Sequence, residues 1–181
     1  MNHSVHIRRF VRAESIPSLG FRQRAVKRFG ALGISAVNDI NLHATVAQYH
    51  HFTQPMESMA GAIRTQPNTS EQSITNRVTG ARAFGQDKLA GTAWFSLMLD
   101  SPELTEDYRY YAERFGKPRS GIVQPHVTLL RANTIGSDDD IAEVNDWIRQ
   151  RMPDTVNLKP VSIAWSMRND EDSAPASRLA S

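Results

Sequence analysis

The 181-residue chain contains no cysteine. Disulfide staples, thiol nucleophiles and thiolate metal sites are therefore excluded together. Long apolar runs are missing too, and no stretch approaches the roughly 20 residues of a membrane-spanning helix. The N-terminal segment carries His3, His6, Arg8 and Arg9 with no apolar core behind them, so it does not read as a secretory signal. No phosphate-binding P-loop, dinucleotide glycine fingerprint or G-x-S-x-G elbow occurs. These absences leave a soluble, cytoplasmic protein without membrane contact as the expectation.

What is present is ordinary for one domain: 40% hydrophobic and 22% charged residues, too apolar for wholesale disorder. The net charge of +2 is unevenly spread. Between Met1 and Ala36 stand seven Arg or Lys against the single acid Glu14, whereas Asp138–Asp172 holds nine acids against four bases. The basic end either attracts a phosphate-bearing ligand or forms a solvated helix face; from charge alone the second reading is preferred. Nothing resembles a module for duplex DNA.

Two stretches carry the same chemistry. In Asn41–Tyr49 (N-L-H-A-T-V-A-Q-Y) and in Gln124–Arg131 (Q-P-H-V-T-L-L-R) a histidine and a threonine are spaced two apart among strand-forming residues. Side chains of an extended chain alternate between faces, so His43 and Thr45 share one face, as do His126 and Thr128.

Around these stretches the periodicity predicts strands at Ser4–Arg12, Ser73–Phe84, Leu89–Leu99 and Val156–Met167, with Gly85–Lys88 as a hairpin turn. Helices are predicted at Ser18–Ala31, Gln54–Arg64, from Ser101 to about Phe115, and from Ser137 or Asp138 to Pro153. Thr65–Gln72 reads as a polar loop, and Asn169–Ser181 as a disordered tail after one domain spanning 1–168. Each histidine strand follows one helix and precedes another. That order suggests a mixed α+β domain of two similar lobes facing each other across a groove.

Imidazole exchanges protons near neutral pH, and two rings facing one phosphate can act as base and acid. A threonine hydroxyl beside each can hold a phosphoryl oxygen while charge builds. The bland alternative is a pair of half-buried histidines, each satisfied by a neighbouring carbonyl. His50 and His51, with His43, offer a weaker metal-site reading, because adjacent strand residues point to opposite faces. Trp94 and Trp165 read as core rather than as base-stacking residues, and His3 and His6 as surface residues.

H-A-T at 43–45 and P-H-V-T-L-L-R at 125–131 resemble the paired motifs of the two-histidine (2H) phosphoesterase superfamily. That group includes 2′–5′ RNA ligase-like proteins, cyclic nucleotide phosphodiesterases and phage anti-CBASS phosphodiesterases. The resemblance extends from about Val5 to Met167. It implies a bilobal fold with two antiparallel-rich sheets flanking a central groove and helices outside. It also implies a phosphoric diester hydrolase that needs neither metal nor other cofactor. His43 and His126 would be its acid and base, and Thr45 and Thr128 its phosphate ligands. Arg131, five residues after the second histidine, would lie near the phosphate, where the first motif has Gln48. Tyr49 and Trp165 are added as substrate-binding candidates.

The expected partner is a nucleotide or short oligonucleotide, cyclic or linear, with a 2′,3′-cyclic phosphate or a 2′-5′ or 3′-5′ linkage, bound by a monomer. Two alternatives within reach are a phage-type enzyme degrading cyclic oligonucleotide immune signals and a non-catalytic module binding nucleotides or RNA ends. A purely structural domain is the third.

Overall fold

The computed structural model describes residues 3–52, 56–87, 90–118, 120–121 and 124–167. The predicted C-terminal tail and Lys88 of the predicted hairpin turn lie outside the described residues. The strands are β1 (His3–Val11), β2 (Ser35–Ala36), β3 (His43–Phe52), β4 (Ile74–Asp87), β5 (Thr92–Asp100), β6 (Ser120–Gly121), β7 (His126–Ala132) and β8 (Thr155–Met167). The helices are α1 (Phe21–Arg28), α2 (Met56–Arg64), α3 (Asn68–Glu71), α4 (Pro102–Phe115) and α5 (Asp138–Arg149). All pairings are antiparallel.

The strands are joined in the order β2-β7-β5-β4-β8-β1-β3-β6. One lobe is β3, β1 and the C-terminal part of β8; the other is β7, β5 and β4. β8 joins the lobes on one side because it pairs with β1 along most of its length and with β4 at its start. On the other side β3 meets β7 through Ala44 and Val127, so the predicted two sheets form one hydrogen-bonded set that closes on itself.

Local signals explain the helices. Ser101 accepts the Leu104 amide and starts α4 with Pro102 in the first turn. Ser137 and Asp140 form a reciprocal capping box at α5. Ile141, Val144, Trp147 and Ile148 of α5 are buried as their spacing predicts, and Trp147 packs on Phe21 and Phe29. Ile63 of α2 is exposed, whereas Met59 and Ala62 are buried. The predicted loop at Thr65–Gln72 contains the single turn of α3. No described helix is long and apolar enough to cross a membrane.

Two N-terminal arginines turn inward. Arg9 is fully buried and its guanidinium donates to Asp107 of α4 and to the carbonyls of Gln72, Thr69 and Lys159. Arg22 of α1 is buried and donates to the carbonyls of Leu19 and Val37 and to Asp39. The basic run is therefore partly internal architecture, which neither reading of its charge anticipated.

Candidate active site

The pair Ala44–Val127 organises the site. Both residues are fully buried, so their neighbours His43, Thr45, His126 and Thr128 face the opposite side, where all four are half-buried. The antiparallel register sets His43 level with Thr128 and Thr45 level with His126. Each histidine thus has the other motif's threonine as its cross-strand neighbour.

The rings are held alike. Nδ1 of His43 lies 2.6 Å from the Asn41 carbonyl oxygen, and Nδ1 of His126 lies 2.9 Å from that of Gln124. A carbonyl oxygen can only accept, so Nδ1 carries the hydrogen in both rings and Nε2 is left for proton exchange. The carbonyl bonds of the bland alternative exist, and they orient the rings without consuming both nitrogens. Each imidazole also lies against a phenylalanine: Phe10 at 5.9 Å from His43, Phe84 stacked at 4.7 Å on His126. Each phenylalanine in turn carries an arginine two residues earlier in the chain, Arg8 over Phe10 and Arg82 over Phe84. Arg82 also donates to the Gln124 side chain at 2.9 Å, beside the carbonyl that holds His126.

Electrostatically the lobes differ. Arg8 is opposite Thr45, and its Nε is buried without a hydrogen-bond partner among the described residues. The corresponding position of the second lobe is Ser96, whose hydroxyl lies 3.1 Å from that of Thr128. Burial lowers the pKa of His43, against the raising effect of its carbonyl bond, and the charges of Arg8 and His126 lower it further. No group of three or more His, Asp or Glu side chains suited to a metal ion occurs among the described residues.

Both motif strands are bulged just after the threonine. Val46 is extra between the pairs Arg8–Thr45 and Ile7–Ala47, and Leu129 between Ser96–Thr128 and Phe95–Leu130. The bulge reverses the alternation. Arg131 therefore comes to the groove side, exposed, with its guanidinium 4.8 Å from the ring centre of Trp94. Tyr49 goes the other way: it is 6% exposed, packs on Phe115, and burial raises its pKa. Simple alternation had placed it with His43, and the extra residue corrects that expectation. Trp94, expected in the core, is 39% exposed on the groove face. His6, expected at the surface, is only partly exposed and sits on the groove side of β1 opposite Gln48. Trp165 lies on β8, and its side chain, like that of His51, is outside the described residues.

Arg8, Phe10, Arg82 and Phe84 were not among the sequence-predicted site residues. The signal existed: R-x-F occurs at 8–10 and again at 82–84, once ahead of each histidine strand.

Solved structures match this fold over nearly the whole chain. The Usb1 structure from Kluyveromyces marxianus with uridine monophosphate aligns at TM-score 0.57 and 12% identity, over 90% of this chain and 94% of that one. A conserved protein of unknown function from Agrobacterium tumefaciens aligns at 0.59 and 15%, over 91% and 81%. E. coli LigT complexed with ATP aligns at 0.53 and 15%, over 90% and 86%. The chain has the two-histidine phosphoesterase fold. No protein-family model and no curated protein sequence matches it. Within the two-histidine fold the exchanged lead-in strands repeat about the groove. β2 pairs Ser35 with Arg131, and β6 pairs Ser120 with Gln48, each joining the histidine strand of the other lobe.

Proposed function

We propose that the groove is the active site of a metal-independent phosphodiesterase acting on RNA-type phosphodiesters. The observation that carries this reading is the Ala44–Val127 pairing, which sets two imidazoles and two threonines on one face. His43 is the base of the hydrolytic step, because burial, Arg8 and His126 favour its neutral form. Its Nε2 takes a proton from water as the water oxygen bonds to phosphorus. The bond from phosphorus to the leaving ribose oxygen breaks, and that oxygen takes the proton of Nε2 of His126. Exchange with solvent restores both rings. Thr45 and Thr128 donate to the non-bridging oxygens, and Arg131 adds positive charge from the second lobe.

The structures of similar fold with uridine monophosphate and with ATP support a nucleotide ligand. Space on both flanks supports an extended one. A cavity of about 300 Å³ is lined by Phe10, Val11, Ile16 and Ile40 on the His43 side. A cleft of about 620 Å³ is lined by Arg82, Met98 and Gln124 on the His126 side. The test is a panel of 2′,3′-cyclic mononucleotides, linear 2′-5′ and 3′-5′ dinucleotides, and cyclic di- and trinucleotides, assayed with EDTA present. Turnover that survives EDTA and disappears in both histidine variants is expected. Activity abolished by EDTA, or retained without either histidine, rules the mechanism out.

A further inference from the structure

Beyond the two motifs, β1 carries a second run of groove-facing residues. Phe10, Arg8 and His6 alternate with the buried Val11, Arg9, Ile7 and Val5. Across the strand pair they stand opposite His43, Thr45 and Gln48, so the row leads away from the catalytic pair along the first lobe. The bulge at Val46 brings His50 to the same side, and its ring centre is 6.4 Å from that of His6. No acid occupies this row. Among the described residues Arg8 forms no salt bridge, unlike Arg9, Arg12 and Arg22 of the same segment, which hold Asp107, Glu14 and Asp39. A buried guanidinium nitrogen without an acceptor is an uncompensated desolvation that an incoming anion would relieve.

The equivalent row of the second lobe is chemically different. Ser96 stands where Arg8 does, and Trp94 stands where His6 does, with Arg131 laid over its ring. An aromatic ring with a guanidinium suits a nucleobase; a cation with an imidazole suits a phosphate. The groove is therefore two-fold in its backbone and directional in its side chains.

We infer that Arg8 and His6 form a second phosphate subsite, which takes the phosphate next to the scissile one. This rests on the reading of the paired motifs as the seat of the scissile phosphate. It narrows the substrate to a molecule with two phosphoryl groups on one nucleoside, as in an oligonucleotide, rather than a lone nucleoside cyclic monophosphate. In the free groove His6 is held toward its neutral form by burial and by the charges of Arg8, His50 and His43. A phosphate arriving beside it reverses that balance, and the ring gains a proton and a charge-assisted bond.

The test is binding without turnover. Adenosine 3′,5′-bisphosphate, adenosine 3′-monophosphate and adenosine 5′-monophosphate are titrated calorimetrically into the full chain. The bisphosphate is expected to bind at least about tenfold more tightly than either monophosphate. That advantage should shrink to about twofold or less in His6→Gln and in Arg8→Gln, and persist in Arg24→Gln, an exposed cation on α1. Circular dichroism and thermal melting establish that each variant is folded; His6→Asn and Arg8→Met replace any that is not. Equal affinities in the unaltered chain, or an advantage that survives in either groove variant, overturn the subsite. Hydrolysis plays no part here. A chain that shows the predicted preference yet hydrolyses nothing overturns the proposed function and leaves the subsite standing.

Discussion

Val46 and Leu129 hold the same place in the two lobes: each is the extra residue of a bulge directly after a motif threonine. In a regular strand the residue five after each histidine would face the core. The bulge turns it to the groove and lets Arg131 lie over Trp94. Gly85 supports that arrangement. Its φ is +57°, and a Cβ there would stand 2.9 Å from the Trp94 ring.

Arg131→Gln should consequently weaken nucleotide binding about tenfold, with little change in thermal stability, because the side chain is exposed. Calorimetric titration with adenosine 3′-monophosphate reads the first quantity and a thermal melt the second. A lowered melting point with unchanged affinity would mean that Arg131 serves the fold alone.

His43→Ala and His126→Ala should each reduce kcat by roughly two to four orders of magnitude while the fold survives. Both rings are half-buried at the groove, each packs on one phenylalanine, and neither belongs to the main core. Rates on the responsive substrate of the panel, with circular dichroism of the same samples, check this. Retained activity in either variant defeats the paired acid and base roles.

The pH dependence of stability follows from His43 and His6, both of which hold a proton less tightly in the fold than at the ordinary value of 6.5. Below that value the unfolded chain binds the proton first, so protons favour unfolding. The contribution is complete above about pH 6.5 and is lost as pH falls through the lower folded values. Denaturant melts between pH 7.5 and 5 should show declining stability, and His43→Gln should flatten the decline. An unchanged slope in His43→Gln would place the titrating group elsewhere.

Tyr49→Ala should act on stability rather than on binding. The ring is buried against Phe115, and removing a buried aromatic costs about 3–5 kcal/mol. Urea melts of the variant test this directly. A raised KM with unchanged stability would return Tyr49 to the groove.

The element order was legible because helices and strands announce themselves locally: Ser101 and Ser137 cap where they should, and the apolar stripe of α5 is buried. The facing of His43, Thr45, His126 and Thr128 was legible because alternation holds over three residues. It fails beyond the threonine, where consecutive apolar residues (Val46-Ala47 and Leu129-Leu130) are all buried. Such doublets are the trace a bulge leaves in a strand, and reading them would have exchanged Tyr49 for Gln48. Arg8 and Arg9 show the opposite limit. Adjacent and identical in type, they face groove and core: alternation puts Arg9 on the face of Val5, Ile7 and Val11, but the residue type argues against burial until Asp107 is found beside it.

Arg9 and Asp107 provide a test in which fold and groove separate. Both side chains are fully buried, and the pair ties β1 to α4 on the side of the sheet away from the histidines. Asp107 also accepts from Ser70, and Arg9 reaches three carbonyls, so every charge there is satisfied. Removing one partner leaves the other buried and uncompensated, at about 3–5 kcal/mol. Arg9→Met and Asp107→Leu should therefore each lower stability steeply, while the double substitution Arg9→Met/Asp107→Leu recovers part of the loss. Under conditions where the single variants remain folded, their affinity for adenosine 3′-monophosphate should match that of the unaltered chain. A double variant as unstable as the sum of its parts would show that the Arg9–Asp107 pair adds nothing beyond the bonds of Arg9 to Thr69, Gln72 and Lys159.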